Sequence, residues 1–181
     1  EDLPRIYKNY DEALAKHAEK TESKYDPTSL NLKTKFGSWG SSGDKDGNNK
    51  VTAETTLEAI ALHTQEILEH YSKDLGEIPQ LKTWKENFNT AIDSIKKITP
   101  KITKLSESQE SDYNKQFDEL SKNLAAVRNS LNGKEFEIDL EGLAKNNSEE
   151  GKKALNLLRR FRTFGFNFSK IEYRETAKEY S

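Results

Sequence analysis

Apolar residues recur along three stretches of the chain at intervals of three and four positions, the period of an amphipathic helix. The first stripe contains Leu57, Ile60, Ala61, Thr64, Ile67, Leu68, Tyr71 and Leu75. The second contains Leu81, Trp84, Phe88, Ala91, Ile92, Ile95, Ile98, Ile102 and Leu105. The third contains Tyr113, Phe117, Leu120, Leu124, Val127 and Leu131. Each stripe predicts a helix that buries one face.

Local signals set the ends of these three helices. Thr52 is an expected N-cap for the first, and Gly76 is its expected stop. Pro100 lacks a backbone N–H and should end or kink the second helix near Thr99. Asn132 and the glycine after it should close the third.

The remaining segments are less regular. A first helix is expected over about 4–24, and a last helix over about 149–180, with Ser148 as its N-cap. Residues 134–147 read as an ordered connection with a short helical turn, and 26–50 as a long Gly/Ser-rich irregular loop. The pattern predicts an all-α fold, an antiparallel bundle of about five helices in a single domain over 1–181.

Composition narrows the possible functions. The hydrophobic and the charged residues each make up 33% of the 181 residues, so narrow stripes must supply the core. The net charge of −2 predicts no general affinity for nucleic acid. No apolar run reaches the roughly 18 residues of a membrane span. The absence of Cys excludes disulfides and cysteine-ligated zinc. The absence of Met suggests that an upstream segment, such as an export signal, has been removed.

No motif in the sequence indicates catalysis or a metal. Residues 44–55 resemble the front half of a calcium-binding EF-hand loop, but Asn49 stands at its glycine position and Thr55 at its bidentate glutamate position. His63, Glu66 and His70 share one arc of a helix, expected to face solvent. There is no nucleophile elbow, phosphate-binding loop or HExxH motif. We therefore expect no metal, no cofactor, no small-molecule substrate and no enzymatic activity.

The last predicted helix carries a basic face. Residues 152–181 have a net charge of +5, whereas 1–151 have −7. At 100° per residue, one face gathers Lys152, Arg159, Arg162, Phe166, Lys170 and Tyr173. Arg and Tyr side chains anchor many interfaces, so these six residues are the candidate partner-binding site. The alternative is a helix packed between neighbours, with Phe166 in the core and the arginine stems lying along apolar surface.

The whole chain resembles the helical outer-surface lipoproteins of Borrelia spirochaetes: it is rich in Lys, Asn and Glu, lacks Cys and Met, and has a polar N-terminal region. The resemblance implies a surface-exposed bacterial protein outside the cell, held to the membrane only through an upstream lipid anchor. It also implies binding of a host serum or matrix protein, plausibly a complement component or regulator. The alternatives are a glycosaminoglycan adhesin that uses the basic last helix and a helical scaffold with a bacterial partner.

Overall fold

The computed structural model describes residues 2–29, 37–38, 51–107, 110–167 and 170–171. The predicted all-α class is confirmed, with six α-helices in the described ranges instead of about five. The helices are α1 (Asp2–Lys20), α2 (Ala53–Leu75), α3 (Lys82–Thr103), α4 (Glu110–Asn129), α5 (Gly133–Ala144) and α6 (Glu149–Phe164). Short 3₁₀ turns lie at Pro27–Ser29, Pro79–Leu81 and Lys104–Glu107, and the two-residue strands β1 (Gly37–Ser38) and β2 (Lys170–Ile171) pair with each other.

The three predicted stripes form most of the core. Helices α2 and α3 pack along their length, α4 lies against α3, and α5 packs against α6. In the third stripe, Leu120, Leu124 and Leu131 are buried, and Tyr113, Phe117 and Val127 are partly buried against the core. One cluster joins these helices through the large buried side chains Tyr71, Phe88, Phe136, Leu140 and Leu157.

Several helix ends follow the sequence signals. Thr52 caps α2, and its hydroxyl accepts from the Thr55 N–H while the Thr55 hydroxyl accepts from the Thr52 N–H. Ser148 caps α6 by accepting a bond from the Gly151 N–H at 3.0 Å. Asn132 adopts a left-handed backbone, φ 32°, between α4 and α5, and its side chain accepts a bond from the Glu135 N–H.

Three expectations about the helices are wrong. Helix α3 does not end near Thr99 but continues through Pro100 to Thr103, because a proline in the last turn removes only one backbone bond there; the alternative of a kink stays a prediction. Residues 133–144 form a full helix, α5, in which Phe136 and Leu140 are buried four positions apart while Ile138 between them is 57% exposed. The last helix ends at Phe164, because Gly165 takes φ 58°, which favours glycine and breaks the helical backbone.

The first helix and the long loop also differ from expectation. Helix α1 ends at Lys20, before the expected end near residue 24. On this helix Tyr7 is buried, whereas Ile6 and Tyr10 are 40% and 50% exposed. The segment 26–50 contains a 3₁₀ turn and β1. Trp39 and most of the EF-hand-like segment lie outside the described residues. The assignment of 1–181 to one domain stays a prediction.

Candidate functional site

The only strand pairing among the described residues joins the two ends of the sequence. Strand β1 runs parallel to β2, with Gly37 opposite Lys170 and Ser38 opposite Ile171. The carboxyl ends of parallel strands meet at one edge, so the segments that begin at Trp39 and at Glu172 both start from this edge. In open α/β sheets, ligands bind in the crevice outside the carboxyl ends of the strands. We therefore take the carboxyl edge of the β1–β2 pair as the candidate functional site.

The segment that leads into β2 is held by side chains from two other helices. The buried Tyr71 of α2 donates from Oη to the backbone oxygen of Gly165 at 2.8 Å. Arg128 of α4 donates from Nη2 to Oδ1 of Asn167 at 2.7 Å. Burial raises the pKa of the Tyr71 hydroxyl, which therefore stays protonated and able to donate.

Phe166 lies between these two contacts and packs on the aromatic core. Its ring centroid is 5.1 Å from that of Phe161 and 5.8 Å from that of Phe88, both with edge-to-face geometry. A Cβ atom at Gly133 would meet the Phe166 ring at 3.0 Å, so the backbone at the start of α5 approaches the ring closely. Phe166 was expected on an exposed face, and the alternative of a core position describes it better.

Arg159 and Arg162 are buried in contacts within the chain. Arg159 is 5% exposed, pairs with Asp11 at 2.6 Å between Nη2 and Oδ1, and lies 5.0 Å from the centroid of the Tyr7 ring. Arg162 pairs with Glu137 at 2.6 Å and with Glu141, both on α5. The expectation that these arginines face solvent is wrong, because α1 and α5 supply carboxylates on that side of α6.

The same two arginines also fix the 3₁₀ turn that follows α1. Arg159 donates to the backbone oxygen of Pro27, and Arg162 donates to that of Thr28. Tyr25 donates to Asp11 at 2.6 Å, and both burial and this bond raise the pKa of the Tyr25 hydroxyl. The basic face of α6 thus joins α1, the turn and α5 into one charged network.

Of the other three predicted binding residues, Lys152 pairs elsewhere on α6, and the side chains of Lys170 and Tyr173 lie outside the described part of the chain. Lys152 is exposed and pairs with Glu149 at 2.6 Å, one turn away on α6. Lys170 lies in β2, and Tyr173 falls outside the described residues. Among the four whose side chains are described, Arg159, Arg162 and Phe166 pack within the chain and Lys152 is exposed, so these four do not form one surface; the role of the six residues in binding a partner remains a prediction.

Among the described residues, the structure shows neither a cluster of metal-binding side chains nor a membrane-spanning helix. His70 and Glu66 form an exposed pair at 3.3 Å, and no group of three metal-binding side chains occurs in the described ranges. In the same part of the chain, no helix has both the length and the apolar character needed to cross a bilayer.

A shallow cleft of about 360 Å³ lies between the 3₁₀ turn after α1 and the connection from α5 to α6. Asp26, Thr28, Lys145 and Lys152 line it, so carboxylate and ammonium groups face the same space. The Asp26 carboxylate accepts bonds from the Thr28 hydroxyl and N–H at 2.7 and 2.8 Å, which lowers the pKa of that carboxyl. The Asp26 carboxylate is thus already hydrogen-bonded to Thr28 within the chain.

Comparison with known proteins places the chain in a class of enzymes. A family model described as phosphoenolpyruvate carboxylase matches residues 1–119, more than half of the chain. The chain therefore belongs to the phosphoenolpyruvate carboxylase family. No solved structure matches it.

The curated relatives agree with this family. Phosphoenolpyruvate carboxylase of Paraburkholderia xenovorans (strain LB400) is 37% identical over 78 residues, which are 43% of this chain and 7% of that protein. The enzyme of Burkholderia mallei (strain SAVP1) is 36% identical over 78 residues. The enzyme of Nostoc sp. (strain PCC 7120) is 23% identical over 209 aligned positions, covering 99% of this chain and 20% of that protein. The chain thus spans at most about a fifth of these relatives.

These similarities correct the functional expectations. The resemblance to Borrelia outer-surface lipoproteins is wrong, because the family model and the relatives are phosphoenolpyruvate carboxylases. A host-protein-binding function, its adhesin and scaffold alternatives and the expected lack of enzymatic activity are wrong for the same reason. The exclusion of a small-molecule substrate is also wrong, since the family is named for one. Localisation outside the cell stays a prediction.

Sequence reasoning missed the β1–β2 pair. Phe166 and Phe168 alternate with Asn167 and Ser169, a period of two that is typical of a strand. That signal was obscured because Phe161, Phe164, Phe168 and Ile171 also fit a helical period across Gly165.

Proposed function

We propose that this chain is part of a phosphoenolpyruvate carboxylase and supplies two strands of its active-site region together with the helices that carry them. The observation that carries the proposal is the family match over residues 1–119 together with the alignment of 99% of the chain to the Nostoc enzyme. An alignment of nearly the whole chain supports a shared segment more strongly than a short local match would.

The sheet geometry fits this assignment. Parallel sheets are normally buried on both faces and contain several strands. A pair of two-residue strands is far too small to be stable alone. Among the described residues, β1 and β2 have no third strand beside them, so the further strands of such a sheet are not among these residues. A larger enzyme could supply those strands.

The substrates of such an enzyme would be phosphoenolpyruvate and bicarbonate. Both are anions, and phosphoenolpyruvate carries a phosphate and a carboxylate, which arginine binds well through paired N–H groups. The sequence after β2 continues Glu172, Tyr173, Arg174, so an arginine follows the carboxyl edge by three residues. We propose Arg174 as a cation for one of these anions.

A segment exchange tests the proposal. In the Nostoc enzyme, the aligned segment is replaced by residues 1–181 of this chain, and phosphoenolpyruvate-dependent fixation of labelled bicarbonate is measured. We expect measurable fixation by this hybrid enzyme, because the inserted segment would supply the same strands and helices. A matched hybrid carrying an unrelated helical bundle of equal length should fix none.

Two further results complete the test. Arg174→Gln in the active hybrid should raise the KM for phosphoenolpyruvate, whereas Arg174→Lys should raise it less, since a single positive charge remains. A hybrid that equals the Nostoc enzyme in helix content and oligomeric size, yet fixes no bicarbonate, would contradict the proposal.

A further inference from the structure

The direction of the chain between α6 and β2 is set at Gly165. Its backbone angles, φ 58° and ψ −135°, are open to glycine and unfavourable for other residues. A Cβ atom there would meet nothing within 4 Å, so the conformation and not the available space requires glycine. A flexible residue at a turn needs outside contacts to hold one direction, and side chains of α2 and α4 donate two hydrogen bonds here, beside the packing of Phe166 on the aromatic core.

Tyr71 provides the first contact. It is fully buried, and its ring packs against Phe88, Phe136 and Phe161 with centroid separations of 6.1–6.4 Å. Packing on three sides fixes the ring, and the fixed ring aims its hydroxyl at the Gly165 oxygen. The hydroxyl is therefore a rigid donor that holds the turn from the side of α2.

Arg128 provides the second contact. Arg159 and Arg162 of α6 pair with carboxylates. Arg128 of α4 pairs with no carboxylate in the described ranges, where it donates a hydrogen bond to the Asn167 amide. Its Nε is buried without a hydrogen-bond partner there, and burial lowers the pKa of this guanidinium. Withdrawing a cation from water without a carboxylate is costly. Within the described residues, the half-buried Arg128 guanidinium has the Asn167 amide as its hydrogen-bond partner.

We infer that Tyr71 and Arg128 are positioning residues for the carboxyl edge of the β1–β2 pair. They hold Gly165 and Asn167, and Asn167 is only three residues before Lys170, the first residue of β2. Fixing these two points fixes where β2 meets β1 and where the segment after β2 begins. The consequence for catalysis rests on the proposed function; the placement of β2 does not.

The placement is tested in the full chain by amide hydrogen exchange of peptides covering 164–171. Loss of one hydrogen bond in Tyr71→Phe, or of the guanidinium in Arg128→Met, should speed exchange there about threefold to tenfold. The matched control is Ser72→Ala, which removes the neighbouring α2 hydroxyl that donates to Asn89 at 2.6 Å, away from β2. Ser72→Ala should leave exchange of 164–171 unchanged.

Two more variants keep the hydrogen-exchange experiment decisive if Tyr71→Phe or Arg128→Met fails to fold. Asn167→Ala removes the acceptor for Arg128 outside the core and should also speed exchange. Asn167→Asp gives Arg128 a carboxylate and should keep or increase protection. Protection equal to the parent in Tyr71→Phe and Asn167→Ala, or the same acceleration in Ser72→Ala, would overturn the inference whatever the enzyme activity.

The catalytic consequence is tested in the Nostoc hybrid. Tyr71→Phe and Arg128→Met should lower kcat about fivefold or more and change the KM for phosphoenolpyruvate less than twofold, because misplaced groups slow a reaction strongly. Ser72→Ala should match the parent hybrid. An active hybrid in which Tyr71→Phe has normal kcat overturns the catalytic role and leaves the proposed function standing. An inactive parent hybrid counts against the proposed function, and the exchange measurements then decide the placement alone.

Discussion

The contact between α2 and α3 and the contact between α1 and α6 are built from opposite kinds of side chain. The first is a nearly continuous apolar seam, in which Leu68, Leu75, Phe88 and Ile95 are at most 1% exposed. The second includes the buried aromatic residue Tyr7, the Arg159–Asp11 pair, the hydroxyl contact between Tyr7 and Thr163, and hydrogen bonds to backbone oxygens. Both contacts exclude water, but through different chemistry.

The difference matters for what each contact can do. An apolar seam tolerates small shifts, because dispersion and burial depend weakly on direction. A buried ion pair adds little net stability and is costly to break, so it favours one geometry over others. We interpret the apolar seam as the source of stability and the charged contact as the source of a fixed position for α1 and the turn after it.

The largest expected effect is in the apolar seam. Phe88→Ala should lower the free energy of unfolding by about 3–5 kcal/mol, because Phe88 is fully buried and contacts four aromatic rings. Urea unfolding followed by circular dichroism measures it. Leu62→Ala, at a residue 47% exposed on α2, is the control and should change the free energy by less than about 0.5 kcal/mol. A loss below about 1 kcal/mol for Phe88→Ala would contradict the seam's role.

A smaller effect is expected in the charged network. Arg162→Met leaves Glu137 and Glu141 without their cation, and since both carboxylates are about a third exposed the loss should be about 2 kcal/mol. Lys152→Met removes an exposed pair and should cause no measurable change. Replacing Arg162, Glu137 and Glu141 together by apolar residues should recover most of the lost stability; failure to recover it would show that the network itself stabilises the fold.

The next effect concerns the buried hydroxyl of Tyr7 in the contact between α1 and α6. Tyr7 Oη donates to the Arg159 oxygen at 3.2 Å and lies 3.1 Å from the Thr163 hydroxyl. Tyr7→Phe should cost about 1 kcal/mol, because the Thr163 hydroxyl still bonds to Arg159 O. Thermal unfolding of this variant beside Tyr10→Phe, at a half-exposed position, isolates the buried bond. Equal midpoints for the two variants would show that the bond contributes nothing.

The smallest expected effect depends on pH. Hydrogen bonds from Thr28 lower the pKa of Asp26 in the folded chain, so their contribution is present above about pH 4 and is lost as the pH falls through the lowered pKa. Thr28→Val removes the hydroxyl bond. Its unfolding free energy should therefore fall less between pH 6 and pH 3 than that of the parent. Parallel pH profiles for the two proteins would contradict this assignment.

Long apolar stripes made α2, α3 and α4 predictable, because many residues repeat one period. Helix α5 was missed because Phe136, Ile138 and Leu140 show a period of two, although only the outer pair is buried. The burial of Arg159 and Arg162 could not be chosen from sequence. An arginine on a helix can extend into solvent or meet a carboxylate, and the partners here, Asp11 and Glu137, lie 148 and 25 residues away.

The candidate site was less accessible to sequence reasoning than the fold. Each strand has two residues, and the short alternation that precedes β2 cannot be distinguished by sequence from the helical period that overlaps it. The hydrogen bonds from Tyr71 and Arg128 that hold the segment before β2 are equally unpredictable from sequence. Tyr71 belongs to a core stripe, and nothing in its spacing reveals that its hydroxyl reaches Gly165, 94 residues later.

The pairing of β1 with β2 has a consequence for the order of events during synthesis. Gly37 pairs with Lys170, which is synthesised more than 130 residues later. All five intervening helices therefore leave the ribosome before the two strands can meet. Contacts this distant in sequence form late, after local helices have shortened the effective loop. A nascent chain stopped after Thr103 and before Lys170 could hold α2 against α3 and still lack the edge from which both strand-following segments begin.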